Sequence, residues 1–314
     1  CSAAAHQPPT EARACKHCAL VSRASDAREC EQWLAVCRQQ GGTTMAVRIE
    51  KDGPVWTVIH SRYEARNAMD PTSARELFEA FAAFDTDDDA SVAVFWGEGG
   101  AFCAGWDLKN AAALSDDDDG VSTLRFDRTT EGGHSRAPMG PSRMQLSKPV
   151  IAAVAGPAVA GGMELAMWAD IRVMEETAYM GVYCRRWGIP LIDGGTVRLP
   201  RLVGEGRALD LIMTGRQVMA DECERIGLCE YVVPEGHARI KAEELAHEIS
   251  RFPQMCMRAD VASAKNSYGM ELGAALEHEF VASKGAVAAE GISGARRFAG
   301  GAGRSGDFDN IGQV

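Results

Sequence analysis

The sequence predicts an α/β fold with mainly parallel strands whose connecting loops gather at one end. Two observations carry this. A β-branched or apolar strand, a glycine turn and a helical segment follow one another twice, first from Ser91 and again from Val150. Repeated units of that kind build parallel sheets, because a parallel partner strand needs a crossover to reach its place. The chain has 314 residues, 46% hydrophobic and 25% charged, which supplies a sizeable core and excludes disorder throughout.

Residues 1–44 hold five of the ten cysteines. Cys15 and Cys18 have the two-residue gap of a zinc knuckle, with His17 between them and Cys30 and Cys37 beyond, but no second close pair follows. The segment is poor in apolar residues and reads as a flexible or artefactual Cys-containing extension before a start at Met45, with zinc binding as the minority alternative. From Met45, two apolar runs (Val47, Ile49; Val55, Trp56, Val58, Ile59) flank Asp52-Gly53-Pro54 and predict a β-hairpin. Asp70-Pro71-Thr72 offers an acceptor side chain and a first-turn proline, and Leu77, Phe78, Phe81 and Phe84 follow at helical spacing. Ser91 to Trp96 reads as a strand stopped by Gly97, Gly99 and Gly100.

Ala111 to Pro141 is rich in Asp, Gly, Ser and Thr and reads as a mobile flap or a polar exposed helix. Val150 to Val154 is a buried strand, Gly156-Pro157 turns the chain, and Gly161-Gly162 opens a helix ending near Ala169. Trp187 to Thr196, with three glycines and a proline, is irregular. Helices are expected at Ala220 to Gly227, Ile240 to Arg251 and Met270 to Ala289, the last with Leu272, Leu276, Phe280 and Val281 facing inward. The tail from Gly291, basic at Arg296, Arg297 and Arg304, is expected to cross a neighbouring surface. The expected divisions are the extension at 1–44, a core at 45–235, and a helical C-terminal region with its tail at 236–314.

Lys and Arg number 33 against 44 Asp and Glu, a net charge of −11, and acidic runs recur at Asp87 to Asp89 and Asp116 to Asp119. A phosphate backbone would be repelled, so nucleic acid is excluded as a partner. The longest strongly apolar stretch, Val150 to Val159, has about half the ~20 residues that span a bilayer, and no secretory leader pattern opens the chain. The expectation is a cytoplasmic protein without membrane attachment. No G-x-S-x-G elbow is present. Gly156 to Gly162 spells GPAVAGG, not a dinucleotide-binding G-x-G-x-x-G, and no metal cluster lies outside the extension.

Ala101 to Lys109 reads AFCAGWDLK, and Lys148 to Ala169 reads KPVIAAVAGPAVAGGMELAMWA. Together these segments resemble the crotonase, or enoyl-CoA hydratase/isomerase, superfamily. The likeness runs from Met45 to Phe298 and takes in Arg66 to Asp70, Met213-Thr214-Gly215 and the segment Ile226 to Val233. It implies a crotonase-like spiral of ββα units with a helical C-terminal trimerisation region, hence a homotrimer or a dimer of trimers. It also implies an acyl-CoA thioester substrate, with no permanently bound cofactor and coenzyme A entering as part of the substrate.

An acyl thioester becomes reactive when charge on its carbonyl oxygen is stabilised, and two backbone N–H groups at glycine turns can do this without a metal. In the family pattern those donors fall on Trp106 and Gly161. Gly161 also opens a helix, whose dipole favours negative charge. The alternative for each motif is a glycine turn that merely permits close packing, and the Trp106 indole either shapes an acyl pocket or fills core. Glu164, on the opening helical turn, is the implied acid/base carboxyl; its alternative is a first-turn glutamate that only complements the helix dipole.

The family's second glutamate position is counted to Tyr183, a poor base with a pKa of about 10. Asp193 is the nearest replacement, as in isomerases of the family; its alternative is an Asp that closes the turn before Gly194-Gly195. Arg66 and Lys109 match positions lining the family's coenzyme A groove, the backbone of Asp107, Leu108 and Lys109 would pass the adenine, and Ala104, Gly162 and Tyr183 complete the substrate-binding set. Arg185 and Arg186 either pair with the acidic runs or select a carboxylated acyl chain. The expected activity is hydration of an α,β-unsaturated acyl-CoA. The alternatives are an enoyl-CoA isomerase, a thioester hydrolase, or a non-catalytic acyl-CoA-binding protein.

Overall fold

The computed structural model describes residues 45–112, 126 and 134–303. The cysteine-bearing extension, and with it the zinc alternative, lies outside the described residues, as does most of the segment between Ala111 and Pro141. Strands β1 (Val47–Asp52) and β2 (Val55–His60) form the expected antiparallel hairpin, turning at Gly53 with φ of 54°. A 3-10 turn at Tyr63–Ala65 leads to Arg66 and Asn67, both with left-handed φ. Asn67 is fully buried; its Nδ2 donates to the carbonyls of Glu98 and Ala101, and its Oδ1 accepts from Arg62 N. This ties the turn after β2 to the glycine turn that follows the next strand.

Helix α1 (Pro71–Thr86) starts as expected, with the Asp70 side chain accepting from Ser73 N at 2.7 Å. Then come β3 (Val92–Gly97), the short α2 (Leu108–Ala112), β4 (Val150–Val154), β5 (Pro157–Val159), α3 (Gly161–Trp168), β6 (Ile171–Glu175) and β7 (Tyr179–Gly181). A 3-10 helix at Tyr183–Trp187 precedes α4 (Gly195–Val203), α5 (Glu205–Thr214), β8 (Gln217–Met219), α6 (Ala220–Ile226) and β9 (Tyr231–Val233). The chain continues through α7 (Ala238–Ser250), α8 (Gln254–Asn266), α9 (Leu272–Ala286), a π-helical segment at Val287–Gly291 and α10 (Ile292–Ala299).

Six strands form one sheet in the order β1-β2-β3-β4-β6-β9, parallel throughout after the opening hairpin. A second sheet, β5-β7-β8, is built from three-residue strands. The large sheet is covered on both faces, which explains its nearly unbroken apolar strands. On one face Phe81 of α1 packs edge-on against Phe95 and Trp168. On the other, Ala238, Ala242 and Ala246 of α7 pack against Val92, Val94 and Ile151. Thus α7, placed by the sequence in the C-terminal region, covers the sheet of the core.

The structure departs from expectation at three further places. The chain turns at Gly156 as expected, with φ of 67°, but Pro157 then opens β5, a strand too short to leave a periodic signal. Along α9, Leu272, Leu276, Phe280 and Val281 are exposed instead of facing inward, because within one chain α9 packs chiefly on α8. The stretch after Gly291 continues as α10 through Arg296 and Arg297. Among the described residues, no helix is long and apolar enough to cross a membrane.

Candidate functional site

Loops leaving the carboxyl ends of β2, β3 and β5 enclose a cavity of about 530 Å³, closed on its far side by the segment from Tyr183 to Asp193. The β3 loop is fixed first. Met69 N donates to Gly105 O at 2.7 Å and Asp107 N donates to Met69 O at 2.8 Å, so the N–H of Trp106 between them faces the other way. Cys103 N donates to Pro157 O, and Val159 N to Cys103 O, which fastens this loop to β5. Gly105, with φ of 90°, sits so close to the second glycine turn that an added Cβ would lie 2.8 Å from Ala160 Cβ and 3.1 Å from Gly161 N.

Trp106 and Gly161 both line the cavity, and their N–H groups have no acceptor among the described residues. Gly161 N is the first N–H of α3, where an orphan donor and the helix dipole coincide. Ala160 immediately before it has φ of 54° and ψ of −126°, a strained backbone for a residue with a Cβ, held by its own N–H on Gly181 O at 2.8 Å. The glycine turns therefore pack closely and also leave two donors on the cavity wall. Trp106 is half-buried, packed on the core and lining the cavity at once.

Glu164, on the first turn of α3, is buried, and its Oε1 accepts from Asp193 N at 2.9 Å and Gly195 N at 2.8 Å. The N-termini of two helices, α3 and α4, thus meet at one carboxyl. Burial still dominates: with the charge of Asp193 beside it, the Glu164 carboxyl is pushed up to about 7. Asp193 is also buried, and burial raises its pKa against the bonds it accepts. Those bonds come from Met139 N at 3.0 Å and Ser142 Oγ at 2.5 Å, residues far away in the chain, rather than from its own turn. The glycines after it are needed for this arrangement. A Cβ on Gly195 would lie 2.9 Å from Glu164 Oε1, and one on Gly194 would lie 2.1 Å from Arg198 Nη1.

Tyr183 lines the cavity, but its hydroxyl reaches Gln217 at 3.3 Å and the Arg186 guanidinium stacks on its ring at 3.8 Å. The buried side chain that faces Glu164 from this segment is its neighbour Cys184, a thiol raised by burial and then by the Glu164 charge. Ala104, Asp107, Leu108 and Lys109 line the cavity, whereas Arg66 is exposed and not part of its wall. Gly162 is a packing position, since a Cβ there would lie 2.0 Å from Cys103 O. Arg62, not singled out from the sequence, lines the cavity and bridges Asp107 at 3.0 Å and Asp70 at 3.3 Å. The Asp107 side chain, occupied by Arg62 and by the N–H groups that open α2, organises the loop. Arg185 and Arg186 are exposed and outside the cavity wall. Sequence reasoning had no signal for Met139 or Ser142, whereas Cys184, next to Tyr183, and Arg198, five residues after Asp193 on α4, stood near features already singled out. Among the described residues, no three His, Cys, Asp or Glu side chains are grouped to hold a metal.

Residues 50–293 match the family described as Enoyl-CoA hydratase/isomerase. An enoyl-CoA hydratase of Mycobacterium tuberculosis is 36% identical over 223 residues, covering 70% of this chain and 80% of that protein. A carnitinyl-CoA dehydratase of Salmonella enteritidis is 35% identical over 205 residues, 65% of this chain and 74% of its own. Among solved structures, a probable enoyl-CoA hydratase/isomerase from Mycobacterium abscessus superposes with a TM-score of 0.73 at 32% identity, covering 81% of this chain and 95% of that one.

Proposed function

The chain belongs to the enoyl-CoA hydratase/isomerase family, and from that premise we propose that it adds water across the double bond of an α,β-unsaturated acyl-CoA. The observation that carries this reading is the coincidence, on one cavity wall, of two unpaired N–H groups and two buried carboxyls. The thioester oxygen accepts from Trp106 N and Gly161 N, which lowers the energy of the enolate that forms when water attacks Cβ. Glu164 and Asp193 share the acid/base work: one takes a proton from water and the other delivers one to Cα. Lys109 and Arg62 supply positive charge for the nucleotide end of coenzyme A, and Ala104, Trp106 and Tyr183 border the acyl group.

The parts that complete the proposal are a ββα spiral and assembly through α9, whose exposed Leu276 and Phe280 meet a second copy in a trimer or dimer of trimers in the cytoplasm. No cofactor is required, because both oxyanion donors belong to the backbone. An isomerase would use the same enolate, but the simple double-bond isomerase relies on the position counted to Tyr183, which carries no carboxylate.

Loss of the conjugated enoyl-thioester absorbance tests the reading, with crotonyl-CoA and a longer enoyl-CoA as substrates. Wild type is expected to hydrate at least one of them, and Glu164→Gln at least about 100-fold more slowly with its acyl-CoA affinity intact. Equal rates would remove Glu164 from catalysis; a silent wild type would sink the hydratase proposal.

A further inference from the structure

The two carboxyls of the cavity are not equivalent, and the difference comes from a side chain behind its wall. Ser142 sits on a 3-10 turn, Pro141–Arg143, and is fully buried. Its Oγ donates to Asp193 Oδ1 at 2.5 Å, its carbonyl accepts from Arg198 Nη2 at 2.7 Å, and Arg198 Nη1 donates to the Asp193 carbonyl at 2.9 Å. These three bonds close a ring that joins the 3-10 turn to the loop before α4. Glu164 receives only main-chain donors, Asp193 N and Gly195 N. A hydroxyl aimed at a carboxylate strengthens when that carboxylate is ionised, and here the carboxyl so favoured is Asp193.

We propose that Ser142 is a positioning residue that keeps Asp193 the ionised member of the pair and leaves the proton the two carboxyls share on Glu164. This rests on the hydratase reading for its consequence, which is a division of labour. Asp193 Oδ2 and Glu164 Oε2 have no partner among the described residues and are the atoms left to react. Water gives a proton to Asp193 as its oxygen bonds to Cβ. The π electrons move onto the thioester oxygen, and collapse of that enolate takes the Glu164 proton to Cα. H and OH have then been added, and the proton on Asp193 returns to Glu164 through the water that replaces the product.

The charged and titratable groups around the pair agree with this assignment. Arg143 and Arg198 act on Asp193, and Arg198 acts on Glu164. The neighbouring thiols, Cys103 and Cys184, are kept neutral by burial, Cys103 being pushed up to about 12. Burial holds both carboxyls above their ordinary values, which disfavours ionising the two together.

Carbon-13 NMR titration of the Asp and Glu carboxyls in wild type, Ser142→Ala and Ser142→Thr, with Asp193→Asn and Glu164→Gln for assignment, reads the proton directly and needs no turnover. In wild type Asp193 is expected to ionise before Glu164. Ser142→Ala should raise the Asp193 midpoint by about one to two pH units, the effect of losing one hydrogen bond to a charge, while Ser142→Thr retains it. The acid limb of the hydration rate should move with that midpoint. An Asp193 midpoint unchanged in Ser142→Ala, or Glu164 ionising first in wild type, overturns the proposal. A purely structural serine would lower the unfolding temperature without moving the midpoint. If Ser142→Ala does not fold, Ser142→Cys, a weaker donor, serves in its place with the same expected direction. Wild type that titrates as stated yet hydrates no enoyl thioester would refute the hydratase reading and leave the proton assignment standing.

Discussion

His60, at the end of β2, is fully buried and neither ring nitrogen has a partner among the described residues. Burial, followed by the nearby Arg62 charge, pulls its pKa from 6.5 down to about 4, with Asp70 opposing. The folded value lies below the unfolded one, so the unfolded chain binds more protons in that window and acid favours unfolding. The contribution is fully present above the unfolded value and is lost as pH falls toward about 4. A gap of about 2.5 units at 1.36 kcal/mol each amounts to about 3 kcal/mol, of which about 2 kcal/mol is already lost near pH 5.

Other groups titrate over the same range, so the comparison that isolates His60 is a difference. Urea unfolding of wild type and His60→Leu is measured at equal protein concentration near neutral pH and near pH 5. Wild type should lose about 2 kcal/mol more than the variant between the two conditions. Equal losses would show that the histidine finds a partner or water when charged, and the argument from burial would fail.

Asp193→Asn should slow enoyl-CoA hydration about 100-fold with acyl-CoA affinity unchanged, and a normal steady-state rate would reduce Asp193 to a structural support. Gly162→Ala forces a methyl group to 2.0 Å from the Cys103 carbonyl, so its unfolding temperature should fall by about 5–10 °C; an unchanged melt would mean the turn yields freely. Leu276→Glu combined with Phe280→Glu charges the exposed face of α9 and should give a smaller species in sedimentation velocity, whereas an unaltered size would place subunit contacts elsewhere.

The parts of the fold that the sequence made legible are those whose causes are local. The hairpin at Gly53, the Asp70 cap of α1, the β3 strand and the Gly161 entry to α3 each rest on a few adjacent residues. β5, β7 and β8 escaped because three residues cannot display a period, and their pairing is decided by partners distant in the chain. The exposed face of α9 is illegible for a related reason: amphipathic spacing marks a face as apolar without saying whether the chain's own core covers it. At the site, the glycine-flanked backbone donors and Glu164 stood in contiguous motifs. Ser142 meets Asp193 across 51 positions of sequence, and Arg62 rather than Arg66 lines the cavity beside a left-handed turn at Arg66 and Asn67 that spacing alone does not reveal.

The two unpaired donors at Trp106 and Gly161 are main-chain atoms, and this shapes how the protein can change over generations. A mutation replaces a side chain; it deletes an N–H only by installing proline. Position 106 can therefore exchange its indole for almost any group and keep its donor, so under the proposed hydratase reading acyl preference can drift there without touching the donors for the thioester oxygen. The constraint falls instead on neighbours that set the path of the backbone: Gly105 and Gly162, whose missing Cβ atoms let the turns approach, and Ala160, whose φ would suit glycine better. Ancestral variation around this cavity should accordingly divide into a permissive wall and an inflexible hinge line, with new substrates explored on the first and lineages lost on the second.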